Sequence, residues 1–211
     1  MNFDNVEHQN YRSLEIIFKE HLDNTMECGH ALSQLFLNLD GPDPYIARVK
    51  HLEEKGDRLT AEAYGALELV TYSEFIYITE QLVRRLDDIV DGFNKTARLI
   101  DICHPKQIDN AANEILLVIL SMIGILQDEI AQYPDNALAS LRACCKVLKG
   151  SEENVDVIYH EWRKKQRRVI VHSLIEENNW TEILGTLEQT TDDAYHTGLL
   201  LERVTRYHQK Q

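Results

Sequence analysis

Apolar residues recur every third or fourth position along almost the whole chain, and the alternation typical of strands is nowhere sustained. The pattern is clearest in one stripe that contains Phe75, Ile78, Leu82, Leu86, Ile89, Phe93, Ala97 and Ile100. Residues at this spacing share one face of an α-helix, so the stripe predicts a helix with one buried side. Only nine Gly and four Pro are available to interrupt such helices. The sequence therefore predicts an all-α protein.

Turn signals divide the periodic pattern into seven segments. The predicted helices cover about residues 6–39, 44–70, 71–104, 107–133, 136–149, 151–178 and 179–207. Thr71 with Glu74, and Asn179 with Glu182, have the spacing of helix-capping pairs. Since the connections are short, consecutive long helices should be antiparallel neighbours in an elongated bundle.

Composition and charge narrow the class of protein. Apolar residues make up 44% and charged residues 27% of the chain, as in soluble globular proteins. The net charge of −13 argues against nonspecific nucleic-acid binding, and weakly against an anionic membrane surface. The longest apolar run, residues 115–126, is too short for a membrane span and predicts a buried core helix. Four cysteines without CxxC spacing, and no secretory signal, favour a cytoplasmic protein with reduced thiols.

Three acidic pairs share an i, i+4 spacing and the same offset from an apolar stripe. They are Glu53 and Asp57, Asp87 and Asp91, and Glu188 and Asp192. Like charges four residues apart on a helix repel by a few tenths of a kcal/mol, so a cation would offset the cost. Oxygen ligands suit Mg, Ca, Mn, Fe and Zn. The alternative is neutralisation by the nearby Arg58, Arg84 and Arg85.

Two of these pairs also indicate an internal repeat. Residues 86–91, LDDIVD, can be aligned with residues 187–192, LEQTTD. We therefore expect one domain spanning residues 1–211, built from pseudo-repeats of about 1–104 and 107–211. By this repeat, the helix that precedes Glu188 should carry a matching acidic pair.

The acidic segments resemble the motifs of a known family. They are residues 49–59 (VKHLEEKGDRL), residues 82–91, which end in LDDIVD, and residues 187–194 (LEQTTDDA). Each resembles an acidic motif of the PhoU-like phosphate-transport regulators, in particular of the branch often encoded beside low-affinity inorganic phosphate transporters. The resemblance covers roughly residues 20–208 and implies two pseudo-repeated three-helix bundles.

The resemblance also implies a function. Members of that family carry iron or zinc clusters on acidic surface motifs and regulate phosphate uptake rather than catalyse a reaction. Carried over by position, Glu53, Asp57, Asp87 and Asp91 form one metal site, and Glu188 and Asp192 form half of a second; the expected metal is Fe, Zn, Mg or Mn. The expected partner is a phosphate transporter or its signalling apparatus, with membrane attachment only through that partner. We also expect a homo-oligomer.

One departure from the family pattern concerns the second half. In the family pattern, the helix that precedes Glu188 has an acidic pair near residues 160 and 164. This chain has His160, Glu161 and Lys164 there. The sequence therefore predicts that the second site has lost its metal and that Lys164 neutralises Glu188 and Asp192 instead.

Other readings of the chain remain open at this point. Glu27 with His30, and Asp193 with His196, have a spacing found in inward-facing di-iron carboxylate bundles. A metal-free helical adaptor is the other alternative. The five cations in residues 163–168 form either a patch for an anionic partner or a solvated helix face. No catalytic motif is apparent, so we expect no enzymatic activity.

Overall fold

The computed structural model describes residues 3–68, 73–168 and 173–210, with side chains from residue 14 onward. Within these ranges the protein is built from six α-helices and contains no strand. The helices are α1 (Phe3–Leu37), α2 (Asp43–Leu67), α3 (Glu74–Cys103), α4 (Asn110–Ile130), α5 (Leu138–Gln166) and α6 (Leu174–His208). The predicted all-α fold is confirmed.

The helices pack as two three-helix halves. Helices α1, α2 and α3 contact one another, and so do α4, α5 and α6. The halves meet where α3 packs on α6 and α1 packs on α4. Among the described residues, α2 and α5 pack only on helices of their own half, so they lie on the outside of the bundle. The predicted pair of three-helix halves is present.

Helices α3 and α6 run antiparallel through the centre of the molecule. The ring of Phe75 in the first turn of α3 lies 5.8 Å, centroid to centroid, from the ring of Tyr207 in the last turn of α6. At mid-length the Thr190 side chain of α6 packs directly on Gly92 of α3, because a Cβ on Gly92 would lie 2.0 Å from Oγ1 of Thr190. A residue without a side chain is therefore needed at this crossing.

The predicted break at Gly150 is wrong, because α5 continues through it. Leu148 and Val155 on either side of the glycine are both buried. A glycine inside a helix costs about 1 kcal/mol relative to alanine. Burial of an apolar side chain contributes about 1.5–3 kcal/mol, so the packing of α5 outweighs the local preference for a break.

Two predicted helix starts also differ from the structure. The Ser173 side chain caps α6 by accepting a hydrogen bond of 3.3 Å from the Glu176 backbone N–H, and Asn179 lies inside that helix. Ser73 caps α3 in the same way. Thr71, the predicted cap, lies outside the described residues. Serine is a strong N-cap because its hydroxyl accepts from an otherwise unpaired backbone N–H.

The apolar run at residues 115–126 lies in α4, as a buried core helix. Among the described residues, α4 is the one helix whose length and apolar composition would allow it to cross a membrane. It packs against α1, α5 and α6, and Ile115, Ile119, Met122 and Ile123 are fully buried.

Candidate functional site

The two acidic pairs of the first half lie side by side on α2 and α3. We call Glu53, Asp57, Asp87 and Asp91 the first acidic cluster. The two helices can approach closely here because α2 has the buried Gly56 next to Asp57, and a Cβ at that position would be 3.5 Å from Val90 on α3. The structure therefore brings together all four residues that the sequence singled out in this half.

The carboxylates of the first acidic cluster repel one another. Removal of water by the surrounding side chains, and then the charges of Asp87, Glu53, Asp57 and Asp88, raise the pKa of Asp91 to about 6. Burial likewise raises the pKa of Asp87, although a hydrogen bond from Thr60 opposes this effect. Ionisation of these acids is therefore unfavourable in free energy, and a bound cation would stabilise the ionised carboxylates.

The described residues that donate hydrogen bonds to this cluster are neutral. The Asn94 amide donates to Glu53 over 2.8 Å, and the Thr60 hydroxyl donates to Asp87 over 3.0 Å. Within the described ranges, no Lys, Arg or His side chain lies within 4.0 Å of any of the four carboxylates. The sequence left open that neighbouring arginines neutralise these acids. That alternative is wrong, because no arginine forms an ion pair with any of the four carboxylates in the described ranges.

A buried histidine supports Asp87 through Thr60. His21 is 1% exposed, and its Nε2 lies 3.1 Å from the Thr60 hydroxyl that donates to Asp87. Burial lowers the pKa of His21 to about 4, so the ring is neutral and can donate its Nε2–H to Thr60. This line of hydrogen bonds runs from the core to the cluster and fixes the orientation of the Asp87 carboxylate.

The donor set of the first acidic cluster fits a hard cation in chemistry and charge. In the rotamers of the structure, however, no group of three or more His, Cys, Asp or Glu side chains in the described parts of the chain is close enough to hold a metal ion. The side chains of Asp57 and Asp91, which have no hydrogen-bond partner among the described residues, would have to turn toward the ion. Metal binding here stays a prediction.

The second half contains an equivalent arrangement that sequence reasoning placed wrongly. Burial, and then the charges of Asp156, Asp192 and Glu152, raise the pKa of Glu188. Glu188 and Asp192 on α6 therefore face Glu152 and Asp156 on α5, and we call these four residues the second acidic cluster. Glu152 and Asp156 were missed, although they have the same Glu-x-x-x-Asp spacing as Glu53 and Asp57.

The prediction that Lys164 replaces the metal is wrong. Its ammonium pairs with Glu161 on its own helix over 2.6 Å. The acidic pair lies eight residues earlier in α5 than expected, which is about two helical turns. Asp156 precedes Glu188 by 32 positions and Asp57 precedes Asp87 by 30, so the spacing within each half could have located the pair.

A different lysine accompanies the second acidic cluster. The Lys149 ammonium lies 2.5 Å from a carboxylate oxygen of Glu152 and 3.8 Å from one of Glu153. It also lies 5.4 Å from the centre of the Tyr195 ring, which favours a cation over its face. Among the described residues, the two clusters therefore differ, because a lysine lies at ion-pair distance from a carboxylate of the second cluster and no Lys or Arg does so in the first.

An ion pair joins the two halves between the clusters. Arg85 on α3 contacts Asp193 on α6 over 2.5 Å and Asp88 over 3.2 Å. The Asp193 side chain is almost fully buried, and burial raises its pKa. Arg85 therefore makes its ion pairs with Asp193 and Asp88, and not with a carboxylate of the first acidic cluster.

The di-iron alternative does not fit the structure. Glu27 and His30 are exposed on α1, and Glu27 pairs with Arg48 at the surface. His196 contacts Asp192, its neighbour on α6, over 3.3 Å. An inward-facing di-iron site needs these residues in the bundle core.

Comparison with solved structures identifies the fold. A PhoU-like protein from Shewanella oneidensis MR-1 superimposes with a TM-score of 0.73 at 16% sequence identity, covering 92% of this chain and 96% of that one. The phosphate transport system regulatory protein PhoU from Streptococcus pneumoniae gives a TM-score of 0.75 at 13% identity, covering 94% and 96%. No protein-family model and no curated protein matches the chain by sequence. The chain therefore has the PhoU-like fold.

Proposed function

We propose that this protein regulates inorganic phosphate transport by contact with a phosphate transporter or its signalling apparatus, and that it does so without catalysing a reaction. Two features support the proposal together. The fold is that of PhoU-like proteins over nearly the whole chain. Each half also presents paired carboxylates from two adjacent helices at related positions. The sequence resemblance makes a low-affinity phosphate transporter the first partner to test.

The observation that carries the proposal is the first acidic cluster. Carboxylates of two adjacent helices lie near one another there, and burial and the neighbouring negative charges raise the pKa values of Asp87 and Asp91. We infer that a divalent or trivalent cation, Fe, Zn, Mg or Mn, binds there. Bound to both α2 and α3, the ion would hold the outer helix in one position and shape the surface that a partner contacts.

The cellular setting of this proposal is the cytoplasm. The four cysteines form no disulfide, which suits a reducing compartment. Helix α4 is packed inside the bundle, so attachment to a membrane partner would use the surface of the protein rather than a span. We propose a homo-oligomer as the working form.

Cellular phosphate uptake tests the regulatory role. Uptake should change when the gene is deleted, and the wild-type gene should restore it, whereas Asp57→Asn/Asp91→Asn should not. Glu20→Gln/Glu62→Gln is the matched control, because it also removes two exposed negative charges but lies outside both clusters. Uptake that is unaffected by the deletion under both phosphate-rich and phosphate-poor growth would contradict the proposal.

The metal is tested separately on purified protein. Mn²⁺, Fe²⁺ or Zn²⁺ should raise the melting temperature of the wild type, because a ligand that binds only the folded form stabilises it. The rise should be smaller in Asp57→Asn/Asp91→Asn and unchanged in Glu20→Gln/Glu62→Gln. If uptake depends on the gene while no metal raises the melting temperature, the protein is a metal-free helical adaptor.

A further inference from the structure

The C-terminal end of α5 is strongly basic in a chain of net charge −13. We call its five cations the α5 tip; they are Arg163, Lys164, Lys165, Arg167 and Arg168. Only two of them have a partner within the described residues. Lys164 pairs with Glu161, and Arg163 lies 6.0 Å from the centre of the Tyr159 ring. Lys165, Arg167 and Arg168 are exposed and form no ion pair there.

The fold itself does not require this charge. The equivalent end of α2 in the first half has no basic residue in its last turn, and neither do α1, α3 and α4. Basic residues favourably oppose the helix dipole at a C-terminus, but five exceed what one dipole needs. Helix α6 has Arg206 and His208 in its last turn, so a run of five cations distinguishes the end of α5 from the other helix ends.

Exposed apolar side chains gather at the same end of the bundle. Among the described residues, the four most exposed large apolar side chains are Leu174 at 80%, Leu37 at 74%, Ile175 at 74% and Ile102 at 73%. They lie at the start of α6 and at the ends of α1 and α3. Scattered apolar residues on a surface are normal, but a group beside a basic patch is not.

Shared cavities show that these helix ends are neighbours. One cavity is lined by Cys103 at the end of α3, Trp162 on α5 and Ile175 on α6. Another is lined by Leu37 at the end of α1 and Gln107 in the connection to α4. The α5 tip and the exposed apolar group thus form one end surface of the molecule.

We propose that this end surface docks on an anionic lipid bilayer. Lysine and arginine are attracted to anionic headgroups, and leucine and isoleucine beside them can enter the boundary between headgroups and acyl chains. The combination is typical of peripheral membrane binding. The proposal concerns lipid alone and is independent of the phosphate-regulation proposal above.

The negative charge of the whole chain does not oppose this docking. Asp156, in the second acidic cluster, precedes Gln166 at the end of α5 by 10 residues, which is about 15 Å along the helix axis. The Debye length at physiological ionic strength is about 8 Å, so the clusters are largely screened from a surface at the α5 tip. Three acids line one cavity with Lys164, Lys165 and Arg168: Glu161, which pairs with Lys164, Asp109, which accepts a hydrogen bond from Trp162, and Glu114. The five cations of the tip outnumber them.

A soluble phosphate-bearing ligand is the main competing occupant. Such a ligand would use the cations but would gain nothing from the exposed apolar group, because a hydrated phosphate does not remove Leu174 or Ile175 from water. A bilayer uses both parts. The two occupants can therefore be told apart by changing the apolar side chains alone.

Vesicle co-sedimentation of the full chain tests the proposal. The protein should bind phosphatidylcholine vesicles only when phosphatidylglycerol is included, and high salt should weaken the binding. Because each cation near an anionic surface changes the partition coefficient about fivefold, Arg167→Gln/Arg168→Gln should lower it about twenty-fivefold. Leu174→Ser/Ile175→Ser should lower it about tenfold by removing the inserted apolar surface.

Matched variants at the opposite end of the bundle are the controls. Lys146→Gln/Arg203→Gln removes two exposed cations from α5 and α6, and Tyr77→Ser/Val147→Ser removes two exposed apolar side chains. Both should bind vesicles like the wild type. Equal binding to vesicles with and without phosphatidylglycerol, or equal losses in tip and control variants, would overturn the proposal. So would absence of vesicle binding with tight binding of polyphosphate or DNA that depends on Arg167 and Arg168.

Discussion

The guanidinium of Arg85 lies 2.5 Å from the carboxylate of Asp193, a residue 108 positions later in the chain. This ion pair lies at the contact between α3 and α6, where the two halves meet. Asp193 is buried, while Arg85 is partly exposed and also reaches Asp88. The pair therefore links the halves, and both acids that Arg85 contacts lie outside the first acidic cluster.

Removal of Arg85 should destabilise the protein. Arg85→Gln leaves the buried Asp193 carboxylate without its partner, and we expect a loss of about 2–3 kcal/mol in the free energy of unfolding. Urea denaturation measures this loss. Asp193→Asn in the same background should recover most of it, because the unpaired charge is gone. A loss that the second change leaves untouched would show that Arg85 acts by packing instead.

The metal-free protein should lose stability as the pH rises from about 4 to about 6. Asp91 has a pKa of about 6 in the folded state against 3.8 ordinarily, so the folded state binds its proton more tightly. Its contribution is therefore most favourable at low pH and is lost as the group ionises in the folded protein. Solvent screening limits the effect to about 0.5–1 kcal/mol.

Asp91→Asn removes this dependence. In the presence of a chelator it should be more stable than the wild type at pH 7, with the difference vanishing near pH 4. Asp101→Asn, an exposed change on the same helix, is the control. If the wild type were more stable to unfolding than Asp91→Asn at pH 7 without metal, the protein itself would stabilise the Asp91 carboxylate.

Lys149 should weaken cation binding to the second acidic cluster. Its ammonium contacts Glu152 over 2.5 Å and competes with an added ion for the same carboxylate. Lys149→Gln should therefore raise the affinity of this cluster for Mn²⁺ about fivefold, the scale of one partly exposed pair. Isothermal titration in the Asp57→Asn/Asp91→Asn background isolates the second cluster.

Lys164→Gln is the control for that experiment. Lys164 pairs with Glu161 and not with the cluster, so its removal should leave the affinity unchanged. If Lys164→Gln raised the affinity for Mn²⁺ and Lys149→Gln did not, the sequence-based prediction that Lys164 neutralises Glu188 and Asp192 would be favoured.

Two glycines in helices should respond to alanine in opposite ways. At Gly150 a Cβ meets nothing within 4 Å, so Gly150→Ala should stabilise the protein by about 0.5–1 kcal/mol. At Gly92 a Cβ would lie 2.0 Å from Thr190, so Gly92→Ala should cost about 2 kcal/mol by separating α3 and α6. Thermal unfolding of both variants checks the signs, and stabilisation by Gly92→Ala would mean that the crossing can relax.

The sequence by itself determined the features that depend on local geometry. Helical periodicity is a property of neighbouring residues, so the helical segments could be predicted without knowledge of their packing, although the break predicted at Gly150 is absent. The i, i+4 spacing also places both members of an acidic pair on one helix face wherever that helix lies. For this reason Asp87 and Asp91 were correctly placed on the same flank of their helix.

Only the tertiary structure decided which helix faces meet. Leu148 packs against Gly198, which fixes the register of α5 on α6 and brings Asp156 opposite Glu188. The same packing keeps α5 helical through Gly150, where the local sequence favours a break. Registers and long-range ion pairs depend on contacts between residues far apart in the chain, and no local pattern contains that information.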